Sequence, residues 1–408
     1  MKKATFLFIS NYINHHQIPF CNAMRRLLGE NFVFLQTEPM EEERVRMGWQ
    51  QEMELPYLVK YDDDPKLGEA LISGSDMVLF GGTDEERFIA GRLQENKPVI
   101  RYSERLYKEG QWKAVSPRGL RKKYLDHTRY RDRDIYMLCA GAYVPSDFHI
   151  VRAYPDKMLR WGYFPETKHY DVDNLLDGKK PGSILWAARF LDWKHPELPL
   201  EVARRLKEQG LSFHLEMIGG GEEQAMVEKL IQDYGLQEDV TLRGYLPPDE
   251  VRTVMEKSEI YLATSDRNEG WGAVLNEAMN SGCAVVGDHM MGGVPFLIRP
   301  GENGMIYRDG DAKMLCRQVE QLLSDAALRR RLGRAAYETI TDQWNAETAA
   351  KRLVAFCIRM GFLTKEQLAD PEEWETMEFA GKTELTSEGP CSPAPVISER
   401  KMFETIHS

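Results

Sequence analysis

The sequence has few cysteines and no long apolar run, and both absences narrow the class of protein. Its six cysteines are spread over 408 residues without a CxxC pair and without histidines at zinc-ligand spacing, which predicts reduced core thiols in a cytosolic protein. No apolar stretch approaches the roughly 20 residues that span a bilayer. A formal net charge of -11 argues against nucleic acid as the main partner, because nucleic-acid binders need a basic field.

Three other sequence signals are missing. No G-x-G-x-x-G spacing occurs in the chain, which argues against a dinucleotide oxidoreductase, and there is no P-loop. The first residues, Met1-Lys2-Lys3 and a short apolar run, pass directly into polar residues at Ser10 and Asn11. They predict a first β-strand rather than a signal peptide.

What the chain does contain is an alternation of short β-rich runs with amphipathic helical segments. In the first half, strands are predicted at 5–9, 32–35, 77–80, 99–102 and 135–139. The second half repeats the rhythm, with strands predicted at 183–188, 213–218, 240–242 and 260–263. This alternation predicts two α/β domains, each a doubly wound parallel sheet with helices on both faces.

Domain boundaries follow from the same pattern. We expect an N-terminal domain at 1–165, a polar and turn-rich linker at 166–182, and a C-terminal domain at 183–343. A late helix, about 344–362, is expected to pack back on the first domain, and the polar stretch 364–408 is predicted to be a mobile tail. Doubly wound domains bind ligands at the C-terminal ends of their strands, so a cleft between the two domains is the expected active site.

One stretch of the second half carries most of the chemistry, and it begins at Glu269. Gly270 and Gly272 allow close approach of the backbone to a ligand, and N–H groups at the helix start, roughly from Trp271, form an anion site that suits a diphosphate. Glu277 lies about two turns inside the helix, so the two carboxylates are well separated and can accept hydroxyl hydrogen bonds. The alternative is a helical surface residue and an ordinary N-terminal acid favoured by the helix dipole.

Further glycine turns follow at Gly292-Gly293 and at 301–304. With them, the stretch resembles the GT4-type glycosyltransferases, also called glycosyl transferases group 1, whose hallmark is Glu, seven residues, Glu, a small-residue helix end and a buried strand. The resemblance implies the GT-B fold, in which two Rossmann-like domains face each other across a cleft. It also implies a cytoplasmic enzyme that moves a sugar from a nucleotide-sugar donor to a hydroxyl acceptor, with retention of configuration and without a metal or other cofactor. The acceptor would be a glycan or a lipid-linked saccharide, as in cell-surface polysaccharide synthesis.

By the same resemblance, Glu277 holds the ribose hydroxyls and Glu269 meets the sugar. The sequence departs from the family pattern at Ala284, where a proline is common, and at Phe296, where an acidic residue often follows the paired glycines. Neither departure touches the glutamates, but Phe296 leaves the sugar preference open.

Upstream, Arg189 and Lys194 follow the end of a predicted strand together. In the resembled family a basic pair at this place grips the diphosphate, and charge-assisted hydrogen bonds to phosphate contribute roughly 1.5–3 kcal/mol each. Such a pair would stabilise the leaving group without a metal. Two solvated cations in a loop are the alternative. Tyr245 and Leu246 occupy the place where the family binds the base.

The acceptor side is less clear from the sequence. His15 and His16 follow the first predicted strand at the expected cleft edge, and Glu104 follows another strand at the same edge. All three are acceptor-side candidates. For the histidines, a helix start capped by Asn14 is an equally good interpretation.

A basic segment at 113–133 stands out in this acidic protein, with aromatic and leucine residues between its lysines and arginines. It is a candidate for peripheral contact with an anionic membrane at the inner face of the cell envelope, and a solvated helical face is the alternative.

Other function classes stay open. Asp-x-Asp pairs that bind metal in the other large glycosyltransferase fold lie only in ordinary charged stretches, at Asp62/Asp64, Asp132/Asp134 and Asp171/Asp173. A non-catalytic nucleotide-sugar-binding protein, an epimerase or a phosphorylase could share the GT-B architecture. The sequence does not identify the donor, the acceptor or the linkage.

Overall fold

The structure is a computed structural model that describes residues 5–40, 54–376 and 388–408. The chain divides into two compact units. The first unit contains residues 1–166 and 344–397, and the second contains 167–343 and 398–408.

The first unit is built on a parallel sheet with the strand order β3-β2-β1-β4-β5-β6-β7. Its strands are β1 Phe6–Ser10, β2 Phe32–Gln36, β3 Leu58–Lys60, β4 Met77–Phe80, β5 Val99–Ser103, β6 Ile135–Ala140 and β7 Met158–Trp161. The described helices between them are α1 Ile18–Leu28, α2 Pro65–Gly74, α3 Arg87–Gln94, α4 Pro117–Asp126 and α5 Val144–Ile150.

The second unit has a parallel sheet with the order β10-β9-β8-β11-β12-β13. Its strands are β8 Ser183–Ala187, β9 His214–Ile218, β10 Val240–Leu242, β11 Ile260–Ala263, β12 Ala284–Asp288 and β13 Met305–Tyr307. Its helices before residue 343 are α6 Val172–Asp177, α7 Glu197–Glu208, α8 Gln224–Asp233, α9 Pro248–Lys257, α10 Ala273–Asn280, α11 Val294–Leu297, α12 Ala312–Ser324 and α13 Ala326–Glu338. Among the described residues after 343, three helices follow, namely α14 Ala346–Arg359 and α15 Pro371–Thr376 in the first unit and α16 Glu399–Ile406 in the second.

The predicted strands are confirmed to within about a residue at each end, because central parallel strands read as short apolar runs. β1 and β8, for example, are buried along their whole length. The strands β3, β7 and β13 were not predicted. All six cysteines are buried and free.

Side-chain caps fix where several helices begin. Asp64, Asp171, Asp311 and Asp325 each accept a hydrogen bond from a backbone N–H in the first turn of the helix that follows, which satisfies a donor without an intrahelical partner. Two of the three Asp-x-Asp pairs therefore contribute a helix cap.

The stretch predicted as a linker contains a helix. Helix α6 begins after its cap Asp171, and Arg330 on α13 donates hydrogen bonds to Asp173 at 2.8 Å and to Asp177 at 2.5 Å. Lys179 follows the end of α6, and its ammonium donates to the carbonyl oxygens of Ser258 at 2.7 Å and Ser281 at 2.8 Å. These residues are anchored to the second unit.

The stretch from 364 onward was predicted to be a mobile tail. Its described residues instead form hydrogen bonds and packing contacts with the rest of the protein. Arg160 on β7 donates its N–H to Ser392 O at 2.7 Å and accepts the Cys391 N–H at 2.8 Å. The backbone at Cys391 and Ser392 thus pairs with the edge strand β7. Such backbone pairing requires no hydrophobic pattern in the sequence. Farther on, Phe403 of α16 packs on His289 in the second unit. Residues 377–387 lie outside the described residues.

Helix α14 packs against α1 in the first unit. Its cap Asn345 accepts the Thr348 N–H at 2.8 Å, and Glu347 in its first turn forms an ion pair with Arg26 of α1. Within the described ranges, no helix is both long and apolar enough to cross a membrane.

Candidate functional site

The C-terminal ends of the strands in the second unit carry four loops that hydrogen-bond to one another. The loop after β8 is hydrogen-bonded both to the glycine turn after β9 and to the loop after β11. The loop after β11 is in turn hydrogen-bonded to the glycine pair after β12. The bonds that join them are Phe190 N–H to Gly220 O at 2.8 Å, Asp266 N–H to Trp193 O at 3.0 Å, and Gly292 N–H to Glu269 O at 3.0 Å. The loops with the predicted residues therefore form one structural unit.

Lys194 and Glu269, predicted from separate motifs, form an ion pair. The Lys194 ammonium donates to Glu269 Oε2, and the two side chains are only 12% and 16% exposed. The Lys194 carbonyl accepts a hydrogen bond from Thr264 Oγ1 at 2.7 Å, and Thr264 in turn accepts from the buried Trp186 indole at 2.8 Å. A cation and a carboxylate are thus held together on a rigid base at the strand ends.

His195, next to Lys194, is a charged residue that the sequence prediction missed. Its Nδ1 lies 2.8 Å from Glu197 Oε1 and its Nε2 lies 3.7 Å from Asp266 Oδ2. Hydrogen bonding to Asp266 and Glu197 raises the pKa of His195 to about 10, so the ring is an imidazolium near neutral pH. In the sequence, only Glu197, two residues later, indicated that His195 is charged, because the other partner, Asp266, is distant in the chain.

Glu277 lies in the middle of α10 and is half-buried. Burial raises its pKa to about 6, while the nearby cations Arg252 and Lys168 act in the opposite direction. Both Glu277 and Glu269 are close enough to the buried phenol of Tyr261 to help raise its pKa, after the larger effect of burial. The two carboxylates thus approach one buried side chain from different elements, Glu269 from the loop before α10 and Glu277 from the helix itself.

The glycine turn before α10 is tightly packed. Gly272 has φ +88°, a left-handed conformation that glycine adopts without strain. A Cβ on Gly292 would lie 1.8 Å from Gly270 O, so the two turns can approach this closely only because residue 292 lacks a side chain. Trp271 is fully buried, and its indole donates to Asn276 Oδ1 at 2.9 Å. The exposed fraction of Trp271 is 0% for the whole residue, and its carbonyl oxygen accepts the Gly293 N–H at 3.0 Å, so the ligand contact predicted at Trp271 stays a prediction.

The other predicted donor-side residues lie on neighbouring loops. Arg189 is half-buried in the same loop as Lys194. Tyr245 is 63% exposed, and its hydroxyl donates to Gly220 O at 2.8 Å. This bond holds an exposed aromatic ring over a glycine turn. Leu246, beside it, is half-buried.

The acceptor-side candidates all lie in the first unit. The rings of His15 and His16 are 3.8 Å apart, in a turn that precedes α1. Asn14 Oδ1 accepts the His16 N–H at 3.0 Å, so it caps this turn, whereas the helix begins at Ile18. Glu104 lines a cavity of about 580 Å³ and accepts hydrogen bonds from Lys108 Nζ at 2.5 Å and Tyr163 OH at 2.9 Å.

Two doubly wound parallel units, with the polar loops of the second gathered at its strand ends, define the GT-B class of fold. Similar solved structures support this assignment. A glycosyltransferase from Rickettsia africae has a TM-score of 0.65 at 14% identity and covers 88% of this chain and 99% of that one. Anabaena Alr3699/HepE in complex with UDP has a TM-score of 0.64 at 14% identity and covers 86% and 99%. The predicted fold class is confirmed.

Residues 171–339 match the family described as Glycosyl transferases group 1. The resemblance to GT4-type enzymes is thereby confirmed. The amylovoran biosynthesis glycosyltransferase AmsK of Erwinia amylovora is 29% identical over 208 residues, half of each chain. The lipopolysaccharide core biosynthesis glycosyltransferase LpsE of Rhizobium meliloti is 30% identical over 164 residues, 40% of this chain and 46% of that one. The chain spans about half the length of these curated relatives.

Proposed function

We propose that this protein is a retaining glycosyltransferase that moves a sugar from a nucleotide-sugar donor to a hydroxyl of a saccharide or lipid-linked saccharide. The observation that carries the proposal is the Lys194–Glu269 pair, held beside the glycine turn of α10 in a group 1 domain. Relatives named for amylovoran and lipopolysaccharide core biosynthesis support the same reaction class.

In this proposal the diphosphate lies against the start of α10 and accepts hydrogen bonds from Lys194 and Arg189. Binding of the phosphates breaks the Lys194–Glu269 contact, which leaves the Glu269 carboxylate to accept a hydroxyl of the transferred sugar. Glu277 accepts the ribose hydroxyls, and Tyr245 stacks on the base. His195 is a positioning residue, because its ion pair with Asp266 joins the loop of Lys194 to the loop of Glu269.

The proposed reaction retains the anomeric configuration. The acceptor oxygen forms a bond to the anomeric carbon on the face from which the nucleoside diphosphate leaves. The bond between that carbon and the phosphate oxygen breaks, and the departing phosphate takes the acceptor proton. Positive charge at Arg189 and Lys194 stabilises the leaving diphosphate, which supports the proposal that no metal is needed.

Arg189→Ala tests the proposal. Loss of a stabiliser of transition-state charge lowers turnover by roughly 100-fold or more, measured as nucleoside diphosphate release with and without magnesium. Arg204→Ala is the matched control, because Arg204 is paired with Glu201 on the surface helix α7. Near-normal turnover of Arg189→Ala would refute the assignment.

Donor choice is tested by a thermal-shift panel of UDP, GDP, ADP and TDP sugars. A bound donor raises the melting temperature by mass action. A shift without transfer to any acceptor would favour a non-catalytic nucleotide-sugar-binding protein, whereas no shift with any nucleotide would contradict both proposals.

The exposed surface around α4 supports a second proposal, peripheral binding to an anionic bilayer. Helix α4 buries none of its side chains. Five large hydrophobic side chains of this region are exposed, namely Trp112, Val115, Leu120, Tyr124 and Leu125. Arg118 and Arg121 are exposed beside them, and neither has an ion pair within the part of the chain that the structure describes. Apolar side chains flanked by cations are typical of surfaces that lie on anionic headgroups.

Vesicle flotation tests this surface. With vesicles containing anionic lipid, we expect the double variant Arg118→Glu/Arg121→Glu to lose flotation, because each basic residue near such a surface contributes about 1 kcal/mol. Lys60→Glu/Lys66→Glu is the control, since both lysines are exposed in the first unit away from α4. Equal flotation of the two double variants would contradict the proposal.

A further inference from the structure

Helix α16 belongs to the second unit and lies outside the residues assigned to the proposed reaction. Its apolar side chains Met402, Phe403 and Ile406 recur at helical spacing, so they share one face of the helix. Met402 is buried, and Phe403 and Ile406 are half-buried. A segment of polar composition therefore packs on the second unit through one narrow apolar stripe.

Phe403 contacts residues that follow two neighbouring parallel strands. Its ring lies edge-on to the ring of His289, with the centroids 5.3 Å apart and the planes at 82°, a preferred geometry of aromatic pairs. The Arg308 guanidinium lies 4.6 Å from the centroid of the same phenyl ring, which is a cation–π distance. His289 directly follows β12, and Arg308 directly follows β13. Phe403 therefore lies at the C-terminal edge of the sheet, the edge that carries the glycine turns.

His289 is itself fixed to the segment after β13. It is buried, its backbone N–H donates to Tyr307 O at 3.1 Å, and its Nδ1 accepts the Asp309 N–H at 3.0 Å. The ring and the main chain of His289 are thus held by the same neighbouring segment. Because the phenyl ring of Phe403 packs on the imidazole, its loss frees the remaining side of a residue that is otherwise held by hydrogen bonds.

A short buried segment leads from His289 to the turn before α10. We call residues 289–293 the glycine-pair loop, and all five of them are buried. A Cβ on Gly272 would lie 1.8 Å from Met291 Cε, so the Met291 side chain lies directly against that glycine. The next residue, Gly292, donates its N–H to Glu269 O at 3.0 Å. Closely packed segments transmit displacements, so a shift at His289 reaches the turn that carries Glu269.

We propose that Phe403 is a positioning residue for donor binding, which acts through His289 to hold the glycine-pair loop against the turn of Glu269. The inference rests on the proposed glycosyl transfer. Without the Phe403 ring the loop occupies shifted arrangements, and the apparent donor affinity falls with the fraction of molecules that keep the competent one. A helix that instead obstructed the donor site would have the opposite effect, because its loosening would increase donor affinity.

Hydrogen–deuterium exchange of the full chain without ligand tests the contact itself. In Phe403→Ala, a peptide that covers 289–293 should exchange at least about threefold faster, because lost packing favours local opening. Helix α8, which connects β9 and β10 at the other end of the sheet, should exchange as in the wild type. Lys401→Ala is the matched control, because Lys401 is an exposed residue of the same helix. Equal exchange of the 289–293 peptide in Phe403→Ala and the wild type would overturn the inference.

Calorimetric titration with UDP, GDP, ADP and TDP tests the consequence for the donor. Well below its melting temperature, Phe403→Ala should bind the preferred nucleotide about 3- to 10-fold more weakly, the equivalent of one aromatic pair. Phe403→Tyr, which keeps the ring, should restore the affinity. His289→Asn removes the imidazole but retains an acceptor oxygen for the Asp309 N–H. If Phe403 acts through His289, the effects of Phe403→Ala and His289→Asn should not add in the double variant.

A purely structural contact would give a different result. A lower melting temperature of Phe403→Ala with unchanged nucleotide affinity would overturn the inference, and so would tighter binding or additive effects in the double variant. If the wild-type protein bound none of the four nucleotides, the proposed function would be contradicted, whereas the exchange experiment would still decide whether Phe403 holds the glycine-pair loop. The two failures are therefore distinguishable.

Discussion

The contact between the two glycine turns of the second unit leads to a sharp prediction for Gly292→Ala. The added Cβ would lie 1.8 Å from Gly270 O and 2.7 Å from its carbonyl carbon. Contacts of real Cβ atoms are essentially never shorter than 3.0 Å, so the turns must separate by about 1.2 Å. The obstacle is backbone, which cannot rotate away as the end of a side chain can.

The cost can be estimated from the contacts that this separation disturbs. Overpacking of this kind costs about 1–3 kcal/mol. Separation also weakens the hydrogen bonds from Gly292 N–H to Glu269 O and from Gly293 N–H to Trp271 O, both 3.0 Å, which contribute about 0.5–1.5 kcal/mol each. We therefore expect the free energy of unfolding to fall by about 2–6 kcal/mol. If the fold tolerates the shift, displacement of Glu269 by about 1 Å should lower turnover by roughly 100-fold.

Urea unfolding followed by circular dichroism, together with turnover of the best donor from the thermal-shift panel, measures both effects. Gly91→Ala in α3 is the control, because a Cβ there meets no atom within 4 Å. We expect it to leave activity unchanged and to add about 0.5–1 kcal/mol of stability, as glycine-to-alanine changes in helices do. A Gly292→Ala protein with wild-type stability and turnover within twofold would refute the packing argument.

Three other predictions concern single side chains. His195→Gln should destabilise the protein most below pH 6.5 and least above pH 10, because a pKa raised to about 10 gives stability that is lost as pH rises through that value; equal melting-temperature differences at pH 6 and pH 10.5 would contradict this. Donor affinity should fall as pH drops below about 6, where Glu277 becomes protonated, and calorimetric titration should find this dependence absent in Glu277→Gln. Asp64→Ala should cost about 1 kcal/mol of stability, with or without divalent cations, because Asp64 caps α2; Asp62→Ala, an exposed position, should cost little in the same urea unfolding experiment.

The strands of both sheets could be predicted because a central parallel strand is a short, nearly continuous apolar run. The weak strand β3, Leu58–Lys60, is partly exposed along its length and lacks that signal. The pairing of Cys391 and Ser392 with β7 could not be predicted either, because backbone hydrogen bonds to an edge strand impose no side-chain pattern. The polar composition after residue 364 therefore indicated a mobile tail.

The residues of the candidate site likewise fall into those that the sequence could predict and those that it could not. Glu269, Gly270, Gly272 and Glu277 are close in the chain, so their spacing on a turn and a helix already placed them near one another. His195 was missed because its charge depends on Asp266, which only the packing of two loops brings near. Trp271 lay in the right motif, but its side chain faces the core, a direction that the motif does not specify.

The sequence by itself determined the alternation of strands and helices, the doubly wound class and the glycine and glutamate motif of the second unit. These are local properties, set by periodicity, by conformational freedom at glycine and by residue spacing. Only the tertiary structure decided which charges meet: the pairing of Lys194 with Glu269, the imidazolium at His195, the raised pKa of Glu277 and the polar cavity in the first unit. Each of these depends on burial and on partners from distant segments, and such partners are assigned only when the chain folds.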